Sequence, residues 1–145
     1  MTLEQLMEEW RKDSAIDSTE LGVASLQVPE LHSKYLKLYF EERRKLKAYE
    51  FDVKELFLKK YEYYNGRMSQ EELDELNWEP FVKRLMKNEV DMYLESDKDI
   101  VQKNIRIVNQ KEKLAFLEEV IKNINQRNFQ IKNAIDWKKF TNGVQ

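Results

Sequence analysis

Residues 59 to 67 read KKYEYYNGR, so two ammonium groups, three phenol rings and a guanidinium fall within one short stretch. Cations neutralise phosphates and release the counterions condensed on them, while aromatic faces stack on unpaired bases at roughly 1–3 kcal/mol per base. Lys59, Lys60, Tyr63, Tyr64 and Arg67, with Lys54 upstream, are therefore candidate residues for holding single-stranded nucleic acid. Tyr61, Tyr63 and Tyr64 span less than one helical turn and cannot all face one core. At least one is expected in water beside the lysines. The competing reading is helix packing, aromatics inward and lysines outward, and it covers Phe57 and Tyr49.

Other chemistry finds little support. His32 is the single histidine and there is no cysteine, which excludes thiolate metal sites, disulfides and cysteine nucleophiles. The acids between 71 and 75 lack the alternating spacing of a calcium loop and read as a solvated helix face. No glycine-rich phosphate loop and no Ser/His/Asp set can be assembled. The expectation is a protein without enzymatic activity, cofactor or metal.

The elements that must position these residues are helices. Only three Gly and two Pro punctuate 145 residues, and charged residues make up 36% against 41% apolar. That balance predicts a mainly α fold of long amphipathic helices over a thin core, and a thin core favours self-association. No apolar run approaches the roughly 18 residues of a membrane span, and the acidic opening MTLEQLMEEW is not a signal peptide. The net charge of −2 hides blocks: residues 1–31 carry 2 basic and 7 acidic side chains, 32–67 carry 10 and 6, 68–99 carry 4 and 10, and 100–145 carry 9 and 4. A polyanion responds to local potential, and nine of the 17 aromatic residues share the basic 32–67 block.

Leu3, Leu6, Met7 and Trp10 mark a first helix. Asp17 caps a turn with Glu20 as its partner, and Gly22 and Pro29 bracket a connector. From about 30 to 64 the stripe Leu31, Tyr35, Leu38, Leu46, Tyr49, Val53, Leu56, Phe57, Lys60 predicts a long helix, or two, closed by Asn65-Gly66. Ser69 opens a short acidic helix that stops before Trp78 and Pro80. Residues 81–88 read as helical, and the alternation Val90, Met92, Leu94 allows a short strand near 89–95. Asp97 and Asp99 open a last long helix in which Leu114, Leu117, Ile121, Ile124, Ile131 and Ile135 keep heptad spacing. Phe129, Ile131, Ile135, Trp137 and Phe140 give its end more apolar surface than a thin monomer core covers, so this tail is expected to drive assembly. The division that follows is a helical nucleic-acid-binding domain, 1–126, and an assembly helix, 127–145.

In order and near-constant spacing, Leu3 to Glu9, Ile16-Asp17-Ser18-Thr19, the LHSKYL region, Tyr63-Tyr64-x-Gly66-Arg67, Asp97-Lys98-Asp99 and the stretch Arg127 to Lys132 resemble the UvsY family of recombination mediators of T4-like bacteriophages. The resemblance implies a protein of the infected host's cytoplasm that binds single-stranded DNA as a homo-oligomeric ring, a hexamer or heptamer. It also implies help in loading a RecA-like phage recombinase onto strands coated by a single-stranded-DNA-binding protein. Family members bind DNA through basic residues just before the Tyr-Tyr-x-Gly-Arg motif; Lys60 falls on one such position, while Leu58 replaces the other with Lys59 beside it. The same helices and acidic blocks suit a rival class equally: a non-enzymatic α-helical adaptor that binds only protein.

Overall fold

The computed structural model describes residues 1–143, which form five helices and, among those residues, no strand: α1 Leu3–Ser14, α2 Leu21–Tyr64, α3 Gln70–Leu76, α4 Lys87–Ser96 and α5 Lys98–Thr141. The chain divides into two compact units, Met1–Arg44 with Gln110–Gln145, and Lys45–Asn109. The 44-residue helices α2 and α5 both contribute to each unit. None of the described helices is long and apolar enough to cross a membrane.

The first unit has the larger core. Leu21, Val28 and Tyr35 recur every seven residues along α2, Leu117, Val120, Ile124 and Ile131 supply a stripe of α5, and Leu6 of α1 joins the same buried cluster. That repeat is why α2 begins at Leu21 and runs through both Gly22 and Pro29, where a connector was expected. Helical stability comes mostly from a packed face, and here Leu21 and Val28, each directly before a breaker, and Tyr35 beyond them are buried while Pro29 itself is exposed. Thr2 caps α1 with a complete box to Gln5. Asp17 does stabilise the turn before α2, but its carboxylate accepts from the Thr19 amide (2.9 Å) and hydroxyl (2.6 Å), not from Glu20.

Arg127 occupies an inward position of the α5 seam, three residues after Ile124 and four before Ile131, and is buried. Its guanidinium donates to the carbonyls of Asp13 (3.3 Å), Ser14 (2.9 Å) and Ala15 (3.4 Å), the otherwise unpaired end of α1. Burial pushes Arg127 below its ordinary value, with the nearby Asp13 charge opposing. Lys34 ties the same end of α1 to α2 through Glu9 and Asp13, each at 2.6 Å, and the Tyr35 hydroxyl donates to Asp13 at 2.8 Å.

In the second unit the apolar core is small: Val90, Leu94 and Ile100, with Leu56, Tyr61, Tyr64 and Leu85 against them. Residues 89–95 are helical, correcting the allowance for a strand. Val90 and Leu94 lie four apart and both point inward, whereas Met92 between them is exposed, so the alternation is not a strand's. Residues 81–86 lie outside any helix, contrary to the helix expected there; α4 starts only at Lys87. Pro80 biases Glu79 away from helix, and Phe81 is drawn into an aromatic cluster. Along α5 no break occurs near residue 127, so residues 127–141 extend the same helix.

Candidate nucleic-acid interface

The helix end that carries the candidate cluster is built as the sequence suggests. Gly66 adopts φ 67°, its amide reaches the Tyr63 carbonyl at 3.1 Å, and the Arg67 amide reaches Glu62 at 3.0 Å. This left-handed cap closes α2, and a side chain at position 66 would be strained there. Ser69 then caps α3 by accepting from the Glu72 amide at 3.2 Å.

What the cap positions is a network between α2, α5 and the segment after α3. Lys60 is 6% exposed. Its ammonium sits 3.2 Å from Asp97 and 2.8 Å from Asp99, and 4.2 Å from the centre of the Trp78 ring. Asp97 is buried too, and each of its oxygens is engaged. One accepts from the Asp99 and Ile100 amides at 2.9 and 3.1 Å, which makes it the N-cap of α5; the other accepts from the Tyr64 hydroxyl at 2.6 Å. Burial alone would raise the Asp97 carboxyl, but the Tyr64 hydroxyl, the Ile100 amide and the Lys60 ammonium outweigh it and hold it below the ordinary value. Burial likewise opposes the charge on Lys60, yet Asp99 and Asp97 raise it above its ordinary value. Tyr63 donates to the Glu79 carbonyl at 2.6 Å, and its ring packs against Tyr64, Trp78 and Phe81 with centroids 5.2–5.6 Å apart. Tyr64 meets Phe81 and Tyr93 at 5.0 and 5.5 Å.

The expectation that Lys60, Tyr63 and Tyr64 lie open to water is therefore corrected. Lys60 continues the inward stripe of Tyr49, Val53 and Leu56 and is sealed by two carboxylates, and both tyrosines are half-buried with their hydroxyls committed. Lys54, Lys59 and Arg67 are exposed. The structure does not bring the six residues to one face: around α2, Lys60 lies about 120° and Lys59 about 140° from Lys54. Phe57 was expected in the core and is instead 48% exposed, as is Phe51 at 65%, with the Lys54 ammonium 5.8 Å from its ring centre. Tyr49 is half-buried beneath the Arg106 guanidinium, 3.9 Å from its ring centre. Phe51, Lys54 and Phe57 step about 60° apart around one side of α2, so exposed aromatic and cationic groups do coincide, though with phenyl rings in place of phenols. The sequence signal for Phe51 was its place off the inward stripe; Phe57 stands at the stripe's edge, where periodicity alone does not decide.

Of the assembly residues, Ile131 is buried and Ile135 half-buried in the first unit's core, while Phe129, Trp137 and Phe140 are exposed. Trp137 and Phe140 stack on each other with centroids 5.8 Å apart.

Comparison with known proteins bears on this arrangement. Residues 9–144 match a family described as "Recombination, repair and ssDNA binding protein UvsY". The chain is 29% identical over 143 residues, 99% of each chain, to the recombination protein uvsY of Enterobacteria phage T4. Two crystal structures of the bacteriophage T4 recombination mediator protein UvsY, in lattice types IV and II, superpose with TM-scores of 0.84 and 0.82 at 28% identity. Each match covers 97% of this chain, and 99% and 98% of theirs.

Proposed function

Because the chain belongs to the UvsY family of recombination, repair and single-stranded-DNA-binding proteins, we propose that it is a recombination mediator whose DNA contacts lie on the second unit and wrap around the end of α2 through Lys54, Lys59 and Arg67. The observation that carries this placement is that these three cations of the family-matched region are exposed, Lys54 of them beside the open ring of Phe51. Lys60, Tyr63 and Tyr64 then serve by fixing the end of α2 from which Arg67 projects.

On this reading several copies assemble into a ring, a hexamer or heptamer, through the exposed apolar tail residues Phe129, Trp137 and Phe140. Each copy contacts the strand weakly, and multivalency raises the avidity. A strand held at many points is loosened from its coating protein and presented to a RecA-like recombinase in the infected host's cytoplasm. No bond is made or broken, so the protein works by binding alone and not as an enzyme. Titration of a labelled oligonucleotide at several salt concentrations tests the DNA contact. The logarithm of the affinity should fall linearly with the logarithm of salt concentration; affinity indifferent to salt would rule out phosphate contact as the main term.

A further inference from the structure

One groove in the second unit adjoins the phosphate contact Lys54. It has a volume of about 440 Å³ and is floored by the buried side chains of Leu94 and Ile100, with Phe57 as a wall and Lys54, Glu95 and Asn104 around it. Clefts of about 300–1,000 Å³ with apolar walls and a few polar groups are the usual form of a small-ligand site. The groove's chemistry selects among the parts of a DNA strand. A phosphate is disfavoured, because the floor is apolar and Glu95 places a carboxylate beside it. A neutral planar base suits both: its face stacks on Phe57 and its amino edge meets an acceptor.

We propose that this groove receives one unstacked nucleobase of the bound strand, Phe57 stacking on its face, Lys54 holding the adjoining phosphate, and Glu95 and Asn104 reading its edge. The proposal rests on the DNA-binding function above and adds a base preference to it. Carboxylates accept from the cytosine amino group, and Asn pairs with the adenine edge. Thymine presents only an N–H between two carbonyls, which face the Glu95 carboxylate unfavourably. Amino-bearing bases are thus preferred, and cytosine over thymine is the clean comparison, since both are pyrimidines. Lys54 lies between Phe51 and Phe57 around α2, within reach of a backbone that passes from one ring to the other.

The test uses the full chain and three strands of equal length: oligo-dC, oligo-dT and an abasic deoxyribose-phosphate strand. Wild type should bind oligo-dC about fivefold or more tighter than oligo-dT, and the abasic strand least. Phe57→Ala should lower oligo-dC affinity about fivefold or more and leave abasic binding unchanged. Phe57→Leu, which keeps apolar bulk but removes the π-face, should do the same with helicity intact. Glu95→Gln should erase the dC-over-dT difference. An equal fall on the abasic strand, or no fall on oligo-dC, would overturn the base site while leaving phosphate binding standing. So would a Phe57→Ala variant that changes sedimentation and not DNA affinity, which would make the groove a seat for a second copy. Failure of every strand to bind saturably would overturn both this site and the function beneath it.

Discussion

Each unit buries one cation at an inward helix position, and the two are held in opposite ways. Arg127 in the first unit donates its planar fork to three neutral carbonyls at the end of α1, and burial lowers its proton affinity. Lys60 in the second unit sits between two carboxylates that raise its proton affinity despite burial. The fork suits spread-out acceptors and the compact ammonium suits a pair of charges. The difference follows the cores: eight buried apolar residues cluster in the first unit and three in the second. Where the apolar core is small, charge and aromatic packing complete it. A basic residue that continues an apolar stripe is structural in both units, and the exposed Lys54, Lys59 and Arg67 lie off the stripe.

The largest effect expected is on the second unit. Lys60→Ala strands the buried Asp97 carboxylate and should cost about 3–5 kcal/mol in urea unfolding. A loss under about 1 kcal/mol would mean that Lys60 is not sealed. Arg127→Ala should cost about 1–3 kcal/mol by orphaning the carbonyls of α1. Arg127→Lys should recover little of it, since one ammonium does not span three acceptors; full recovery would show that charge alone matters there.

Acid separates the pair further. Asp97 is depressed, so its contribution is in place above the ordinary carboxyl value and is lost as pH falls through the lower folded value. Urea midpoints at about pH 7 and pH 3 should show Asp97→Asn, though less stable at neutral pH, losing less on acidification than wild type. An equal loss would place the acid sensitivity elsewhere, for instance at Asp13, which is also depressed: burial opposes its charge, and Lys34 and Tyr35 overcome that opposition. The smallest change in protomer stability, within about 0.5 kcal/mol, is expected for Phe129, Trp137 and Phe140 each replaced by Ser, because all three are exposed. The triple variant should nonetheless sediment as a smaller species; an unchanged species would remove the tail from assembly.

How much of this was legible in the sequence differs by region. In the first unit the heptads of α5 stood in plain view, because Leu114, Leu117, Ile124 and Ile131 keep one period over four turns and more. Gly22 and Pro29 misled, since local breakers were weighed above the seven-residue spacing of Leu21, Val28 and Tyr35 that spans them. In the second unit Lys60 was counted in the apolar stripe, and the stripe said buried; its charge drew the opposite expectation because Asp97 and Asp99, its partners, lie more than thirty residues away in sequence. No local pattern shows a pairing at that separation. The cap at Gly66, the Ser69 cap and the opening of α5 at Asp97 were readable, as each needs only three or four neighbouring residues. The groove beside Phe57 was not, because its walls come from α2, α4 and α5 together.

We propose that the second unit divides its cations, Lys60 for the fold and Lys54, Lys59 and Arg67 for the strand. The most direct test measures the salt dependence of single-stranded DNA binding for the variant with Lys54, Lys59 and Arg67 all changed to Ala. This variant should keep unfolding stability within about 0.5 kcal/mol of wild type and bind more weakly, with a log–log salt slope shallower by about 2, from three phosphate contacts at about 0.7 each. An unaltered slope and affinity would place the DNA contact elsewhere and contradict the division.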